Sequence, residues 1–516
     1  MYGRFRRATG FLLAACMLSA GLVFPAAGEA VDGVRVNRAL LVGEDDFVSR
    51  PSAYPSSTNN VFAMQEALQY SRDPFEAIMI PDGPVTGTQG LTAMIRDTFS
   101  AADADDVSYL YLSTHGVYDA QDAGQAALLL SDGRTESRMT AAELEAAFDG
   151  IGGTKVLILD ACYSGAFIGK GMRRQPDAIC FQREDFKVLT SSGALEESWY
   201  WNATEPTASD AAQAPQGAFY FTQTLSQGLS PRSGYPADEN RDGDVTLREL
   251  YHYLTENHAA STPQAYPQED EFTVFSYNTQ DALPDTSLRS PIGDVTFSSS
   301  TLSLTDRRLT LEYIALRPVR VAYQIVNRRD GQWRFDEAQL IYDDVEQYTA
   351  YGDERGAVSP GRKVRTLTLN PQNGEASGYV LVQMVSIDQG KLTVHAGRVI
   401  AIPPETGELG LSVETVDRFV AGGPREMEIF VAHACPCLLS VVIENEAGET
   451  VRTLCHRQST RPMCIDPEGS VFYWNGLDKN GAVAAAGQYR VRVTGYLGEQ
   501  SFAAVSAPVA LTAAAR

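Results

Sequence analysis

The stretch VLILDACYSG, residues 156–165, changes within a few positions from apolar side chains to a carboxylate, a thiol and a glycine. Glycines bound it on both sides, which predicts a buried parallel strand that delivers Cys162 to its carboxyl end. A second strand is predicted at residues 107–112, shortly before His115. Because ligands bind outside the carboxyl ends of neighbouring strands in an open α/β sheet, we expect Cys162 and His115 to meet in one crevice.

These two motifs resemble those of the caspase and metacaspase superfamily of cysteine peptidases. The shared pattern is a strand followed by His-Gly and, about fifty residues later, a strand that ends in acid-Ala-Cys-x-Ser-Gly. The resemblance begins at residues 38–43, which are similar to the first strand of the family, and continues to about residue 277. Asp160 makes the chain similar to the metacaspase branch and its bacterial relatives, because caspases proper have Gln there. The resemblance implies a caspase-like α/β sandwich, in which helices flank a mostly parallel sheet.

The resemblance also implies a cysteine endopeptidase, with Cys162 as nucleophile and His115 as general base. Backbone N–H groups of Gly116 and Cys162 would hold the oxyanion. A Cβ atom at Gly116 is expected to crowd the substrate carbonyl, and Gly165 is expected to let the chain turn sharply after the nucleophile. The alternative, from another functional class, is a catalytically silent caspase fold that binds partners or surface polymers.

Asp160 is predicted to select the substrate. It lies two residues before Cys162 on the same face of the strand, and in metacaspases the matching acid receives an Arg or Lys side chain. Charge-assisted pairing favours basic side chains, so we expect protein or peptide substrates that are cleaved after Arg or Lys. Metacaspases have an acid where this chain has Asn60, and Asp45 or Asp46 could replace that pocket acid. The alternative is that Asp160 is a helix cap or a surface acid.

The segment GKGMRRQP, residues 169–176, is a basic, glycine-rich loop after the predicted active-site strand. If cleavage follows basic residues, self-cleavage is predicted after Lys170 or Arg173. It is less favoured after Arg174, which Gln-Pro follows. The alternative is an exposed loop that is never cut.

Residues 238–249 match the twelve-residue EF-hand loop, and a helix is predicted directly after them. The preceding segment is proline-rich and not helical, so we expect a single structural Ca²⁺ site that braces this helix. The alternative is an acidic, solvated turn. The predicted ligands are Asp238, Asn240, Asp242, the backbone of Asp244, Thr246 through water, and Glu249.

The formal net charge of −23 makes nucleic acid a poor partner, because proteins that bind phosphate backbones usually present a basic face. Residues 1–30 have the layout of a secretory signal peptide, with Arg residues, an apolar run and then small residues. We therefore expect an exported bacterial protein, periplasmic or extracellular, with a lipid anchor on Cys16 as the minor alternative. No later stretch approaches about 18 unbroken apolar residues, so no transmembrane span is predicted.

The patterns predict a signal peptide at 1–30, a caspase-like peptidase domain at 31–285, a β-sandwich at 286–403 and an Ig-like β domain at 404–516. A polar loop is expected after His115, and the last strand of the peptidase domain at residues 272–277. Residues 474–490 are similar to the Ig-like module of flagellar hook-cap proteins and many secreted bacterial enzymes. The β domains are expected to serve surface attachment or substrate presentation.

Four cysteines lie close together in the predicted Ig-like domain. In an exported chain such a cluster usually forms two disulfides, although zinc is an alternative because two His residues lie beside them. The spacing leaves the connectivity open. The four residues are Cys435, Cys437, Cys455 and Cys464.

Overall fold

The computed structural model describes most of the chain after residue 34, and residues 35–516 form one compact unit. The predicted signal peptide with Cys16, and the residues Arg173, Arg174 and Cys464, lie outside the described residues. The described residues are 35–119, 125–171, 179–202, 217–279, 290–329, 331–343, 356–370, 377–388, 391–421, 426–463 and 469–513.

Residues 35–279 fold as strands and helices that alternate along the chain, as predicted for an α/β architecture. A 3-10 helix at Ser164–Ile168 follows the seventh strand. In chain order the elements are β1 (Asn37–Gly43), α1 (Ser56–Gln69), β2 (Phe75–Met79), α2 (Thr88–Phe99), β3 (Val107–Ser113), β4 (Gly116–Asp119), β5 (Gln125–Ser131), β6 (Glu136–Thr140), α3 (Ala141–Ala147), β7 (Thr154–Asp160), β8 (Phe186–Thr190), β9 (Tyr200–Asn202), β10 (Gly217–Phe219), α4 (Tyr220–Gly228), β11 (Asp244–Thr246), α5 (Leu247–Asn257), β12 (Gln264–Tyr266) and β13 (Thr273–Ser276).

The central sheet of this part has the described strand order β2-β1-β3-β7-β8-β12. The first five strands run parallel, and β12 is antiparallel to β8. Helices α1, α4 and α5 cover one face, and α2 and α3 cover the other. Burial on both faces explains why β3 and β7 are almost wholly apolar rather than alternating.

The register of β3 and β7 determines where the candidate catalytic residues leave the sheet. Ser113 lies opposite Asp160 at the end of the pair. The N–H of Thr114 donates to the carbonyl oxygen of Asp160 at 3.1 Å, so the alignment continues past both strands. His115 and Cys162 follow these residues and therefore emerge at the same edge, which we call the rim.

One prediction about this part of the chain is wrong, and another is confirmed. The segment after His115 is an antiparallel sheet of β4, β5 and β6 rather than a polar loop, and the apolar residues of β5 are buried. The predicted strand at residues 272–277 is present as β13 and is the last described strand of this part, although it pairs with β11 in a separate sheet. The last strand of the central sheet, β12, is not predicted. A strand of three residues is too short to give a periodic signal.

The described regular structure after residue 290 is β-strand, apart from a 3-10 turn at Phe335–Glu337. Two apolar clusters form its cores, one in strands β14–β22 and one around Trp474 in β23–β31. The strands are β14 (Ile292–Phe297), β15 (Arg308–Ala315), β16 (Val319–Arg329), β17 (Gln332–Trp333), β18 (Gln339–Tyr342), β19 (Ala357–Val358), β20 (Gly361–Thr368), β21 (Gly378–Asp388), β22 (Lys391–Ile402), β23 (Ser412–Thr415), β24 (Arg418–Ala421), β25 (Met427–Ala432), β26 (Leu438–Asn445), β27 (Thr450–Ser459), β28 (Gly469–Trp474), β29 (Gly487–Leu497), β30 (Gln500–Val505) and β31 (Val509–Ala513).

The strand-rich part packs directly against the α/β part. A further apolar cluster combines Tyr220 of α4 and Ala259 with Trp333 and Tyr379 of the β-strands. Because this cluster is buried, the two parts share one continuous interior. Within the described ranges, no helix is long and apolar enough to cross a membrane.

Candidate active site

Cys162 follows β7 and is held by the backbone of a neighbouring segment. Its thiol donates to the carbonyl oxygen of Ser198 at 3.4 Å. The N–H of Tyr163 donates to the carbonyl oxygen of Glu196 at 2.8 Å, so residues 196–198 run alongside Cys162. Tyr163 has a left-handed φ of 59°, and the chain turns there directly after Cys162.

Tyr163, rather than Gly165, therefore makes the turn. A Cβ atom at Gly165 would lie 2.7 Å from the carbonyl oxygen of Lys170, so this glycine permits close backbone packing. A Cβ atom at Gly116 would lie 1.8 Å from the carbonyl oxygen of Cys162. The crowding at Gly116 is thus with the backbone of Cys162 rather than with a substrate carbonyl, and the glycine allows the two rim motifs to touch.

His115 lies between two aromatic rings at the rim. The centroids of Phe47 and Tyr200 are 4.5 and 5.9 Å from that of the imidazole. Nε2 lies 3.1 Å from the carbonyl oxygen of Pro51. Because a carbonyl oxygen only accepts, we assign the proton to Nε2, which leaves Nδ1 as an acceptor. Burial lowers the pKa of His115, so the neutral, proton-accepting form predominates at neutral pH.

The Cys162 thiol is neutral in the resting site. Burial raises its pKa to about 12, and the negative charge of Glu197 acts in the same direction. The N–H of Gly116 lowers this pKa, because it can donate to the thiolate. No hydrogen bond joins Cys162 to His115 among those of the described residues, so the two side chains share the rim without being paired.

Asp160 has no exposed surface. Its Oδ1 accepts from the Ser198 hydroxyl at 3.0 Å, and Oδ2 accepts from the Thr222 hydroxyl at 2.7 Å. Burial raises the pKa of Asp160 to about 6, although these donors favour the carboxylate. Asp160 therefore joins the end of β7 to α4, and a substrate side chain cannot reach it without a rearrangement.

The two acids after β1 have different surroundings. Asp45 accepts from the backbone N–H groups of Ser57 at 2.9 Å and Thr58 at 3.1 Å. This carboxylate therefore caps the start of α1, where negative charge is favourable. Asp46 is exposed and accepts from the hydroxyl of Ser52 at 3.0 Å.

Asn60 is buried and links three elements. Its Nδ2 donates to the Ser113 hydroxyl at 3.0 Å, and its Oδ1 accepts from the N–H of Phe219 at 3.1 Å. A carboxylate could accept but not donate, so an amide suits this position better than an acid. The structure thus places Asn60 between α1, β3 and β10, with both ends of its amide used.

Lys170 is buried rather than part of an exposed loop. Its Nζ lies 2.6 Å from Oε2 of Glu426, 3.1 Å from Oε1 of Gln268 and 4.8 Å from the ring centre of Tyr473. The N–H of Gly171 donates to the Tyr473 hydroxyl at 2.8 Å. Self-cleavage after Lys170 would require this segment to unfold locally, because a protease needs an accessible chain.

In the acidic loop, residues 238–249, side-chain oxygens accept hydrogen bonds from the N–H groups of the loop itself. Asp238 is buried and accepts from the N–H of Gly243 at 2.9 Å. Glu249 forms a capping box with Thr246 at the start of α5. The Oε1 atom of Glu249 is buried and has no hydrogen-bond partner.

Asp244 of the acidic loop pairs with Arg72 at 2.7 Å. Across the described residues, no group of three or more His, Cys, Asp or Glu side chains is arranged to hold a metal ion. Calcium binding by this loop therefore stays a prediction. The ligand set remains Asp238, Asn240, Asp242, Asp244 and Glu249.

Cys435, Cys437 and Cys455 are free thiols, so the predicted disulfides are not formed among the described cysteines. Cys437 and Cys455 are buried in the apolar core around Trp474. Burial raises the pKa of Cys437 to about 12. These thiols contribute to the core as small apolar side chains.

Three residues at the rim are absent from the predicted set. The carbonyl of Pro51 positions His115, the carbonyl of Ser198 accepts from the thiol, and Glu197 acts on the thiol electrostatically. All three lie in irregular segments, where the sequence has no periodic signal. The sequence offers one signal for Glu197 and Ser198. Polar residues follow the buried strand β8, just as polar residues follow β7 near Cys162.

Residues 35–184 match the CHAT domain family, which has a caspase-like fold and is related to caspases, separases and metacaspases. The matched segment contains His115, Gly116, Asp160 and Cys162. It therefore supports a relationship to caspase-like peptidases for this part of the chain. No curated protein matches the sequence.

Many solved structures are similar to part of the chain, including the following three. A structural-genomics target from Geobacter sulfurreducens is 14% identical, covers 47% of this chain and 99% of its own, and has a TM-score of 0.32. Caspase-1 from Spodoptera frugiperda is 16% identical, covers 45% of this chain and 87% of its own, and has a TM-score of 0.29. The CupB2 chaperone of Pseudomonas aeruginosa is 12% identical, covers 42% and 100%, and has a TM-score of 0.22.

Proposed function

We propose that the protein is a cysteine endopeptidase in which Cys162 is the nucleophile and His115 the general base. One observation carries this proposal. A thiol and a neutral imidazole leave adjacent parallel strands at the same edge of the sheet, inside the segment that matches the CHAT domain. Neither residue is needed there for the core, because both follow the last paired residues of their strands.

The reaction follows from the atoms at the rim. Nδ1 of His115 takes the proton of Cys162 as the sulfur attacks the peptide carbonyl carbon. The N–H groups of Gly116 and Cys162 stabilise the oxyanion. The carbon–nitrogen bond then breaks, and the imidazolium gives its proton to the leaving amine. Water hydrolyses the thioester while His115 takes a proton from it, which restores the thiol and releases the new carboxylate.

The proposed substrates are proteins cut after Arg or Lys. Both charged groups that act on the thiol are carboxylates, Glu197 and Asp160. Negative potential at the rim attracts a basic side chain and repels an acidic one.

The proposed setting is outside the cytoplasm, and the strand-rich part after residue 290 is proposed to contain Ig-like domains that serve attachment or substrate presentation. A structural Ca²⁺ in the acidic loop belongs to the same proposal. Support comes from the signal-peptide layout of residues 1–30, the EF-hand pattern and the two β cores.

A second candidate is a catalytically silent fold that binds partners. It is favoured by the pKa of the Cys162 thiol, which burial raises to about 12, and by the missing hydrogen bond between Cys162 and His115 among the described residues. Substrate binding has to bring the thiol and the imidazole together in the first candidate. In the second they stay apart.

Comparison of the purified wild type with Cys162→Ala on a library of unstructured peptides, with and without Ca²⁺, tests the proposal. We expect cleavage after Arg and Lys by the wild type and none by the variant. Equal product patterns from both proteins, or no products from either, would contradict the proposed activity and favour the silent fold. Circular dichroism of both proteins checks that the substitution leaves the fold unchanged.

A further inference from the structure

The carboxylates near the rim differ in the hydrogen bonds that their oxygens already accept. Asp160 is fully buried and accepts hydrogen bonds from two hydroxyl groups. Asp45 caps α1. Glu196 is buried, and its carboxylate accepts from the N–H of Thr262 at 2.8 Å. These three carboxylates are committed to the fold.

Glu197 is different, because two backbone contacts fix its position beside the nucleophile. On one side, the carbonyl oxygen of Glu196 accepts from the N–H of Tyr163 at 2.8 Å. On the other, the carbonyl oxygen of Ser198 lies 3.4 Å from the sulfur of Cys162. Glu197 lies between these contacts and is half-buried, so part of the residue is accessible to solvent.

The carboxylate of Glu197 has a single hydrogen bond among those of the described residues, from the Tyr163 hydroxyl at 3.4 Å. Its second oxygen is available to a ligand. The Tyr163 ring in turn packs against Tyr118, with ring centroids 5.8 Å apart. An acid beside half-buried aromatic rings suits a guanidinium or ammonium group on an apolar stem, because the rings can contact the stem and the cation.

We infer that Glu197, rather than Asp160, is the residue that recognises the basic side chain of the substrate. This inference rests on the proposed peptidase function and deepens it. Glu197 supplies the charge, and Tyr163 and Tyr118 supply the adjoining wall.

The position of Glu197 also links recognition to reactivity. Its charge helps to raise the pKa of the Cys162 thiol, after the larger effect of burial. A basic side chain bound to Glu197 neutralises that charge and lowers the thiol pKa. The nucleophile is then more easily deprotonated when a basic substrate is present.

Binding in the Cys162→Ala background tests recognition without requiring catalysis. The probes are acetyl-trialanyl-arginine amide and its counterparts ending in norleucine or glutamate, measured by titration calorimetry. We expect the arginine peptide to bind about tenfold or more tightly than the norleucine peptide. Adding Glu197→Gln should bring this ratio close to one, and adding Glu197→Lys should favour the glutamate peptide. Glu184→Gln, which changes an exposed acid away from the rim, is the matched control and should preserve the ratio.

A preference for arginine that survives Glu197→Gln, or no preference in the parent protein, would overturn the inference. The result is separate from the peptidase test, since peptide binding without turnover contradicts only the proposed activity. A second readout concerns the thiol itself. Alkylation of Cys162 by iodoacetamide should shift to lower pH in Glu197→Gln, and an unchanged pH profile counts against a link between the two groups.

Discussion

The sequence predicts one site at the rim and another in the acidic loop, and the side chains of these two sites are arranged differently in the structure. The rim gathers residues that are far apart in the chain, because the parallel register of β3 and β7 places His115 and Cys162 at one edge. The acidic loop is contiguous and matches its motif closely, yet no set of its side chains is gathered for a metal. Strand pairing thus fixes a site before any ligand binds, whereas crowded carboxylates repel and turn to their own backbone.

The largest expected effect concerns the imidazole at the rim. His115→Ala removes the proposed base, and we expect peptide cleavage to fall roughly 10²- to 10⁴-fold. Turnover of an Arg-containing peptide measures it. His456→Ala, which changes an exposed histidine elsewhere, is the control and should leave turnover unchanged. If both variants have equal activity, the rim has no catalytic base in His115.

The second prediction breaks the contact that joins the two rim motifs. Gly116→Ala places a Cβ atom 1.8 Å from the carbonyl oxygen of Cys162, so the backbone has to shift. We expect about a 100-fold loss of turnover, because a displacement of about 1 Å is enough to misalign reacting atoms. Gly83→Ala has open space for its Cβ and is the matched control. Full activity in Gly116→Ala would show that the backbone at the rim can move apart without loss of function.

The third prediction concerns the ion pair between Lys170 and Glu426, which joins the α/β part to the strand-rich part. Lys170→Met leaves the carboxylate of Glu426 without its buried partner. We expect the free energy of unfolding in urea to fall by about 3 kcal/mol. The exposed pair of Arg308 with Asp306 provides the control, since Arg308→Met should cost less than about 1 kcal/mol. Equal losses would mean that burial adds nothing to the Lys170 pair.

The fourth prediction concerns Glu44, a buried carboxyl at the end of β1. Burial raises its pKa to about 8 from an ordinary value of 4.5. The folded protein therefore keeps a proton that the unfolded chain has lost, and the contribution of Glu44 to stability falls as the pH rises between these two values. Glu44→Gln should raise the melting temperature more at pH 9 than at pH 5. A gain that does not vary with pH would contradict this assignment.

The smallest expected effect concerns the acidic loop. If the acidic loop binds Ca²⁺ at millimolar concentration, the melting temperature of the wild type should rise by about 2 °C. Glu249→Gln should abolish the rise, since Glu249 is the predicted bidentate ligand. Glu256→Gln, an exposed change on the same helix, should preserve it. Identical responses in all three proteins would remove the calcium site.

The sequence predicts those features that depend on long apolar runs or fixed spacing. The strand β3 begins at the predicted residue 107, and β7 ends at Asp160, two residues before Cys162. Asn60 shows the limit, because its role depends on an acceptor, the Ser113 hydroxyl, and a donor, the N–H of Phe219, that only tertiary packing brings together. Glu197 was equally hidden, since its importance comes from two backbone contacts of its neighbours. The burial of Lys170 depends on strands that follow some 250 residues later.

The contacts of Lys170 and Gly171, in the segment after Cys162, have an implication for biosynthesis. Lys170 bonds to a carboxylate 256 positions later, and Gly171 to a hydroxyl 302 positions later. While the ribosome is still translating, a nascent chain already carries Cys162 but lacks these partners. Both contacts can therefore form only after residue 473 has been synthesised, long after the central strands of the sheet.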